Sequence, residues 1–296
     1  MASTPAALGS SAQRLRRRRD LAFLRSLRRN PLGIAGLIII ALVTLLAILA
    51  PILSPHGPTE QVARRLLEPS SDYLLGTDEF GRDIFSRVIY GSRISLYVGL
   101  ISVSLALVSG GVLGLIAGYA GGRIDTLLMR FVDILFAIPS LVLAIVIAGL
   151  LGPSLTNAMI AIGIVYAPIY ARLVRGEVLT VRNQLYIESA RASGVTDLGM
   201  VVRHILPNIT ATLIVQTTLL LSTAILAEAA LSFLGLGTQP PDPSWGTMLG
   251  SGRRYMELTP WVAIAPGIAI VITVLGFNLL GDGLRDALDP RLRGSE

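Results

Sequence analysis

Two histidines, no cysteine and no lysine leave this 296-residue chain little with which to do covalent chemistry. A phosphate-cradling Gly-x-x-x-x-Gly-Lys-Ser/Thr loop needs its Lys to reach the β- and γ-phosphates. All 25 basic residues here are Arg, so the chain carries no such ATPase site. Without Cys there is no thiol nucleophile, disulfide or iron–sulfur ligand set, and His56 and His204 are too few and too separated to suggest a metal site. Neither His belongs to an H-E-x-x-H zinc motif or has a partner for a nucleophile–base pair. The residues whose spacing suggests a task are Glu188, Ser189, Ala190 and Gly194 in ESARASG, followed by His204, Leu206 and Pro207 in RHILPN. They suit a shaped contact surface. Gly194 is placed to end one short helix in a left-handed turn, Thr196 can cap the next, and that helix is expected to stop before Pro207. The result is a helix–turn–helix-like knuckle, which by spacing alone is either a docking surface or an inert linker. Glu228 is the one carboxylate inside an apolar stretch, which marks it as a functional-site candidate. Near the outer end of its span, facing water or capping the Gly-rich turn that follows is the simpler reading.

The elements that must carry these residues are membrane helices. Hydrophobic residues make up 52% of the chain and charged ones 15%, with a mean hydropathy of +0.67, which cannot cover a water-soluble surface. The net charge of +6 comes from Arg clusters flanking apolar runs; that pattern marks membrane edges and argues against nucleic acid as a partner. Residues 32–53 contain no ionisable group and are long enough to cross about 30 Å of hydrocarbon as a helix. They sit behind 31 residues and lack a small-x-small cleavage site, so they are read as an anchor and not as a signal peptide. Further runs are 94–122, with a core at 94–118, then 134–171, 205–227 and 258–281. The run 134–171 is long enough for two crossings, with Gly152, Pro153, Ser154 and Asn157 as turn residues near its middle, so it reads as a helical hairpin. Pro168 either kinks the second arm of that hairpin or ends it. Six spans are expected. With the N-terminus inside, 18 of the 25 arginines fall on the cytoplasmic side, which places both termini there. The cluster from Arg14 to Arg29 reads as a topogenic anchor touching anionic lipid.

Between the first two spans, the outer loop is longer than a connector requires. Thr77 can cap a helix in which Phe80, Ile84 and Val88 recur every fourth residue, an amphipathic stripe expected to lie flat in the membrane interface. Gly110, Gly111, Gly114 and Gly118 give the second span a small-residue face for close helix approach. Polar Ser102, Ser104, Ser109, Gln216, Thr217, Thr218, Ser222 and Thr223 are candidates to line a pathway, though any one hydroxyl is as readily bonded to its own helix.

The order Glu188, Ser189, Ala190, then Gly194, then Leu206-Pro207 resembles the EAA loop of binding-protein-dependent ABC importer permeases, with Ser189 in place of an Ala and His204 near the usual Ile. Three longer strings, LLGTDEFGRDIFSRVIYGSRISLYVG at 74–99, AEAALSFLGLGTQPPDPSWG at 227–246 and FNLLGDGLRDALDPRLR at 277–293, are similar to the second permease subunit of dipeptide, oligopeptide and nickel importers. The resemblance covers nearly the whole chain after about residue 20. It implies an all-α membrane protein with the type I ABC importer transmembrane fold, six transmembrane helices in all. Residues 1–31 would be a cytoplasmic segment, 32–53 the extra N-terminal helix, and 54–90 an extracytoplasmic loop. A five-helix core would occupy 91–281, with the coupling loop at 172–207 and a cytoplasmic tail at 282–296. The implied partners are a homologous second permease, two cytoplasmic ATPase subunits that bind ATP and Mg, an extracytoplasmic solute-binding protein and the bilayer. Glu188, Ser189, Ala190, Gly194, His204, Leu206 and Pro207 would form the contact with the ATPase, and Gln216, Thr217, Ser222 and Glu228 would line the path. No catalysis and no cofactor are expected in this chain. Dipeptides or short oligopeptides are the expected cargo, with nickel or haem as alternatives within the family. An ion-coupled secondary transporter is the alternative of another class, but it calls for several mid-membrane ionisable sites and usually an internal repeat. Glu228 alone is thin support for it.

Overall fold

The computed structural model describes residues 30–288. The arginines at 14–29 and Arg291 and Arg293, on which the expected topology partly rests, lie outside the described residues. Within them the regular structure is helical, apart from one isolated bridge between Thr77 and Asp83.

Helix α1, Pro31–Ile48, starts where the Asn30 side chain accepts the Gly33 N–H at 3.0 Å. Pro31 takes the first helical position, where no N–H is needed. After Leu49 one further turn follows, α2, Ala50–Leu53. Helix α3, Ile84–Ala120, runs for 37 residues and is capped by Asp83, whose carboxylate accepts the Ser86 N–H at 3.0 Å. This overturns the expected interfacial helix. Ile84 and Val88 belong to the first turns of the span, Phe80 precedes it, and Thr77 is engaged in the loop: its hydroxyl donates to the Arg64 carbonyl at 2.6 Å and accepts the Leu67 N–H at 2.9 Å.

The expected hairpin turn is present at 152–154, but the first arm is shorter than expected. Helices α4, Gly122–Phe136, and α5, Ser140–Leu151, meet at 89°, because Pro139 has no N–H to donate and disfavours helical backbone at Ile138. With 12 residues, α5 is about 18 Å long, too short for about 30 Å of hydrocarbon. The two together form either a broken span or a re-entrant segment. Helix α6, Leu155–Arg182, is capped by Ser154 and continues through Pro168. Two short helices follow, α7, Leu185–Ala192, and α8, Asp197–Met200. A π-turn at Val201–Ile205 then leads directly into α9, Leu206–Phe233. The expected stop before Pro207 does not occur. The Pro falls in the first turn of α9, and its missing N–H is absorbed where the hydrogen-bond register changes. Helices α10, Trp245–Gly252, and α11, Trp261–Leu288, follow. Among the described residues five helical stretches are each long and apolar enough to cross a membrane, six if the bent pair is counted as one span.

Close approach is made at glycines. A Cβ on Gly110 would lie 2.0 Å from the Ala167 carbonyl oxygen, and one on Gly114 2.5 Å from that of Ala171, so α3 and α6 touch backbone to backbone. The N-terminal helix seats on α11 in the same way: a Cβ on Gly36 would lie 2.4 Å from the Leu280 nitrogen. Around the α3–α6 contact, Val98, Ala106, Ala144, Ile162, Tyr170 and Leu220 build the main core from α3, α5, α6 and α9.

Gly110→Leu is expected to destabilise the fold by about 1–3 kcal/mol through overpacking, read as a lowered melting temperature in detergent. Gly111→Ala, where an added Cβ meets nothing within 4 Å, is expected to leave it unchanged or raise it by about 0.5–1 kcal/mol. Equal melting of the two variants would contradict the backbone contact.

Candidate functional site

The knuckle is built by local rules and then seated by packing. Helix α7 ends in a Schellman motif: the Val195 N–H donates to the Ala190 carbonyl at 3.2 Å and the Gly194 N–H to that of Arg191 at 3.0 Å. Gly194 has φ +80° and open space around an added Cβ, so glycine is required here by the dihedral and not by crowding. The Thr196 hydroxyl accepts the Gly199 N–H at 3.2 Å and starts α8. Beneath these turns Ile187, Met200 and Ile205 are buried against Val174 and Val178 of α6 and Ile209 of α9, with Ala190, Val195 and Leu206 packed around them. Glu188, Ser189, Gly194 and Pro207 are exposed, and His204 is half-buried. The outer surface also holds two large apolar side chains in the open, Leu185 at 80% and Leu198 at 75% exposure.

Sequence reasoning missed how the knuckle is tied to the bundle. The Tyr119 hydroxyl at the end of α3 donates to the Asp197 carboxylate, and Arg182 donates to the Gly118 carbonyl at 2.9 Å. Arg175 makes a two-pronged bond to Asp125 at 2.5 and 2.7 Å, and Arg172 reaches Asp133 at 2.7 Å while lying over the Phe136 ring. These arginines looked like topology signals alone, yet they hold α4 and the end of α3 to α6. Their partners lie 39 to 64 residues away, so no local spacing announces them.

The four candidate pathway residues do not share one channel. Gln216 lines an open cleft of about 440 Å³ together with Thr212, Leu219 and Arg285. Thr217 shares a hydrogen bond with the Tyr170 hydroxyl at 2.7 Å, and the buried Ser222 hydroxyl lies 2.8 Å from Asn278 Oδ1. Glu228 does not face water; it is fully buried. Ser232 Oγ donates to its Oε1 at 2.7 Å and also accepts the Thr238 N–H at 3.0 Å, so the carboxylate holds the Gly-rich turn. Ser95 Oγ lies 3.4 Å from Oε2, joining α3 to the same group. Ser109, Thr218 and Thr223 bond back to carbonyls of their own helices.

At the opposite end of the bundle the loop before α3 folds around a buried charge cluster. Asp78 accepts the Phe80 and Arg82 N–H groups at 2.8 and 3.0 Å and the Arg82 Nε at 2.6 Å. Arg87 lies 3.4 Å from the same carboxylate and donates to the Pro58 and Pro241 carbonyls, bridging the loop to the segment before α10. Trp245 seals the junction, its indole N–H donating to the Val88 carbonyl at 2.9 Å. The available signal was glycine spacing: Gly76 and Gly81, both at positive φ, bracket Asp78 and favour a tight loop over a helix.

Residues 110–294 match the family described as the binding-protein-dependent transport system inner membrane component, and the chain belongs to that family. Residues 22–69 match the N-terminal transmembrane domain of oligopeptide transport permease C, so the core follows an N-terminal unit of that type. The chain is similar to the dipeptide transport system permease protein DppC of Alkalihalophilus pseudofirmus, 51% identical over 91% of this chain and 89% of the relative. It is also similar to the di/tripeptide transport system permease protein DppC of Pseudomonas aeruginosa, 48% identical over 92% of each. The glutathione transport system permease protein GsiD of Pectobacterium atrosepticum is 46% identical over 91% of this chain and 90% of its own length. Among solved structures, a chain of the inward-facing MetNI methionine ABC transporter shares the fold, with a TM-score of 0.58, 21% identity and coverage of 70% of this chain and 98% of that one.

Gly194→Val is expected to fray the end of α7, because a left-handed backbone costs a branched residue roughly 1–2 kcal/mol. Amide exchange across 185–195 should quicken about tenfold while exchange in α6 stays unchanged; a uniform response would mean that the motif does not act locally.

Proposed function

We propose that this chain is the non-catalytic permease subunit of an ATP-driven importer of di- or short oligopeptides, working by alternating access. The observation that carries the reading is the knuckle. Its turn is locked by the Schellman motif and its inner side chains are buried against α6 and α9, while Leu185 and Leu198 stand exposed. Exposed apolar groups on a rigid base suit a contact with another subunit. Its partner in this reading is one of two cytoplasmic ATPases, which bind ATP and Mg; the chain has no Lys for a phosphate loop. A homologous second permease completes the pathway, and an extracytoplasmic solute-binding protein delivers cargo. The arginine distribution supports cytoplasmic termini in a bacterial plasma membrane.

The mechanism is a population shift. Closure of the ATPases pulls the knuckle, and because Ile187, Met200 and Ile205 pack on both α6 and α9, those helices move with it. Glu188, Ser189, Ala190, Gly194, His204, Leu206 and Pro207 shape or support the contact. Gln216, Thr217, Ser222 and Glu228 are the pathway side chains in this reading, with Gln216 open to a cleft and the other three held by hydrogen bonds until helices rearrange. The names of the relatives favour peptides over nickel or haem.

Affinity purification of the chain from its native membrane tests the assembly: a second permease and P-loop ATPases should accompany it. Leu185→Asp combined with Leu198→Asp is expected to reduce ATPase recovery at least tenfold with membrane insertion intact. Full recovery and normal peptide uptake in that variant would remove the knuckle from the mechanism.

A further inference from the structure

The turns of α6 that seat the knuckle hold a second element as well. Val174 and Val178 belong to the cluster that buries Ile187 and Met200. Arg172 and Arg175, on a neighbouring face of the same turns, reach Asp133 and Asp125 of α4. Knuckle and α4 are therefore fastened to one short length of helix.

Helix α4 is lightly rooted in the bundle. Of its 15 residues only Val132 is buried against the described residues. Ile124, Leu127, Phe131 and Ile134 recur at helical spacing on the side away from the aspartates and are 52–72% exposed. Both ends are interrupted. At its start Gly121 and Gly122 have φ +68° and +56°, successive left-handed residues of a kind that glycine makes accessible. At its end the chain turns by 89° into α5 across Pro139. A few residues at the end of an element are what absorb the dihedral change of a hinge, and sparse burial marks a segment that is easily displaced.

Among the described residues the side-chain bonds from α4 to α6 are two ion pairs. Arg175 grips Asp125 with Nε and Nη2 at 2.5 and 2.7 Å, and Arg172 Nη2 lies 2.7 Å from Asp133 with its guanidinium 3.8 Å from the centre of the Phe136 ring. The two side chains of the Arg172 pair are 48% and 57% exposed. A two-pronged guanidinium–carboxylate bond fixes direction and register. An exposed pair is also easily separated. Together these bonds make a latch that pulls α4 along without welding it to the core.

We propose that α4 is a hinged arm of the transport cycle, turning about Gly121–Gly122 and the Pro139 break, with Arg172 and Arg175 as the positioning residues that draw it along when the knuckle is displaced. The proposal rests on the ATP-driven importer reading and deepens it, naming a route from the ATPase contact to the bent segment α4–α5. Without the two pairs the knuckle still moves α6 and α9 but leaves α4 behind, so ATP is hydrolysed with little transport.

This chain has no Cys, so nitroxide labels are placed at Leu127→Cys on α4 and Leu150→Cys on α5, both exposed. The complex with the second permease and ATPases, their own cysteines replaced, is reconstituted in nanodiscs. Pulsed electron resonance then measures the separation of the labels without nucleotide, and again with ATP, vanadate and peptide-loaded binding protein. A change of about 2–5 Å is expected in the wild type, the range of helix shifts in switching proteins. Arg172→Gln combined with Arg175→Gln should abolish the change and lower peptide uptake at least tenfold, with melting temperature and ATPase turnover retained. Exchanging the charges, by Arg175→Asp with Asp125→Arg and Arg172→Asp with Asp133→Arg, should restore both. If Arg175→Gln reduces recovery of the complex, Arg172→Gln alone at the exposed pair should still diminish the change. A change as large in the double variant as in the wild type overturns the latch. An unchanged separation in a wild-type complex that transports peptide overturns the arm but leaves the importer reading standing, whereas a wild-type complex without ATP-driven uptake overturns that reading.

Discussion

Helices α3 and α6 lie so close at Gly110 and Gly114 that no side chain separates their backbones, and the rest of the bundle is arranged around that contact. In hydrocarbon there is little hydrophobic drive to bring two apolar helices together, so association depends on tight van der Waals packing and on the hydrogen bonds that close approach permits. Small residues supply both. With Ala167 and Ala171 facing the glycines, α5 and α9 fill the flanks with Ala144, Ala148, Leu220 and Ala224. The same device attaches the N-terminal helix, where Gly33 and Gly36 meet Gly283 and Leu280 of α11.

This rigid pair has different attachments at its two ends. One end carries the knuckle, held by Ile187, Met200 and Ile205 and by the Tyr119 and Arg182 bonds to its neighbours. The other carries the folded loop, held by Asp78, Arg82 and Arg87 and closed by Trp245. Charge lies at both ends of the long helices, and Glu228, the carboxylate buried within α9, has hydroxyl partners from Ser232 and Ser95. That distribution follows from solvent: a polar or ionisable group in the apolar layer must bring its partners with it.

Where reading from the sequence succeeded, the governing interactions are local. Gly194 and Thr196 signal a helix end and a helix start because a left-handed dihedral and a cap are decided within four residues. It went astray where one local rule met a stronger one. Thr77 is a plausible cap, but Gly76 and Gly81 fold the loop back so that its hydroxyl is taken by Arg64 and Leu67. Pro207 is a plausible stop, but the π-turn before it lets the helix continue. The run 134–171 has the composition of a straight hairpin, yet Pro139 bends it at 89° before α5 begins.

Composition and charge placement by themselves determined that this is a multi-span helical membrane protein without a phosphate loop, since the cost of placing arginine in hydrocarbon confines it to the edges. The motif strings pointed to the permease family, and the knuckle was legible down to its two turn residues. Only the tertiary structure decided which arginines pair with which aspartates and that Glu228 is sealed. It alone gathered the knuckle and α4 onto the same turns of α6. Those partners are separated by tens to well over a hundred residues. Their meeting depends on how whole helices pack and on bridges such as Arg87 to Pro241, distances that no local pattern encodes.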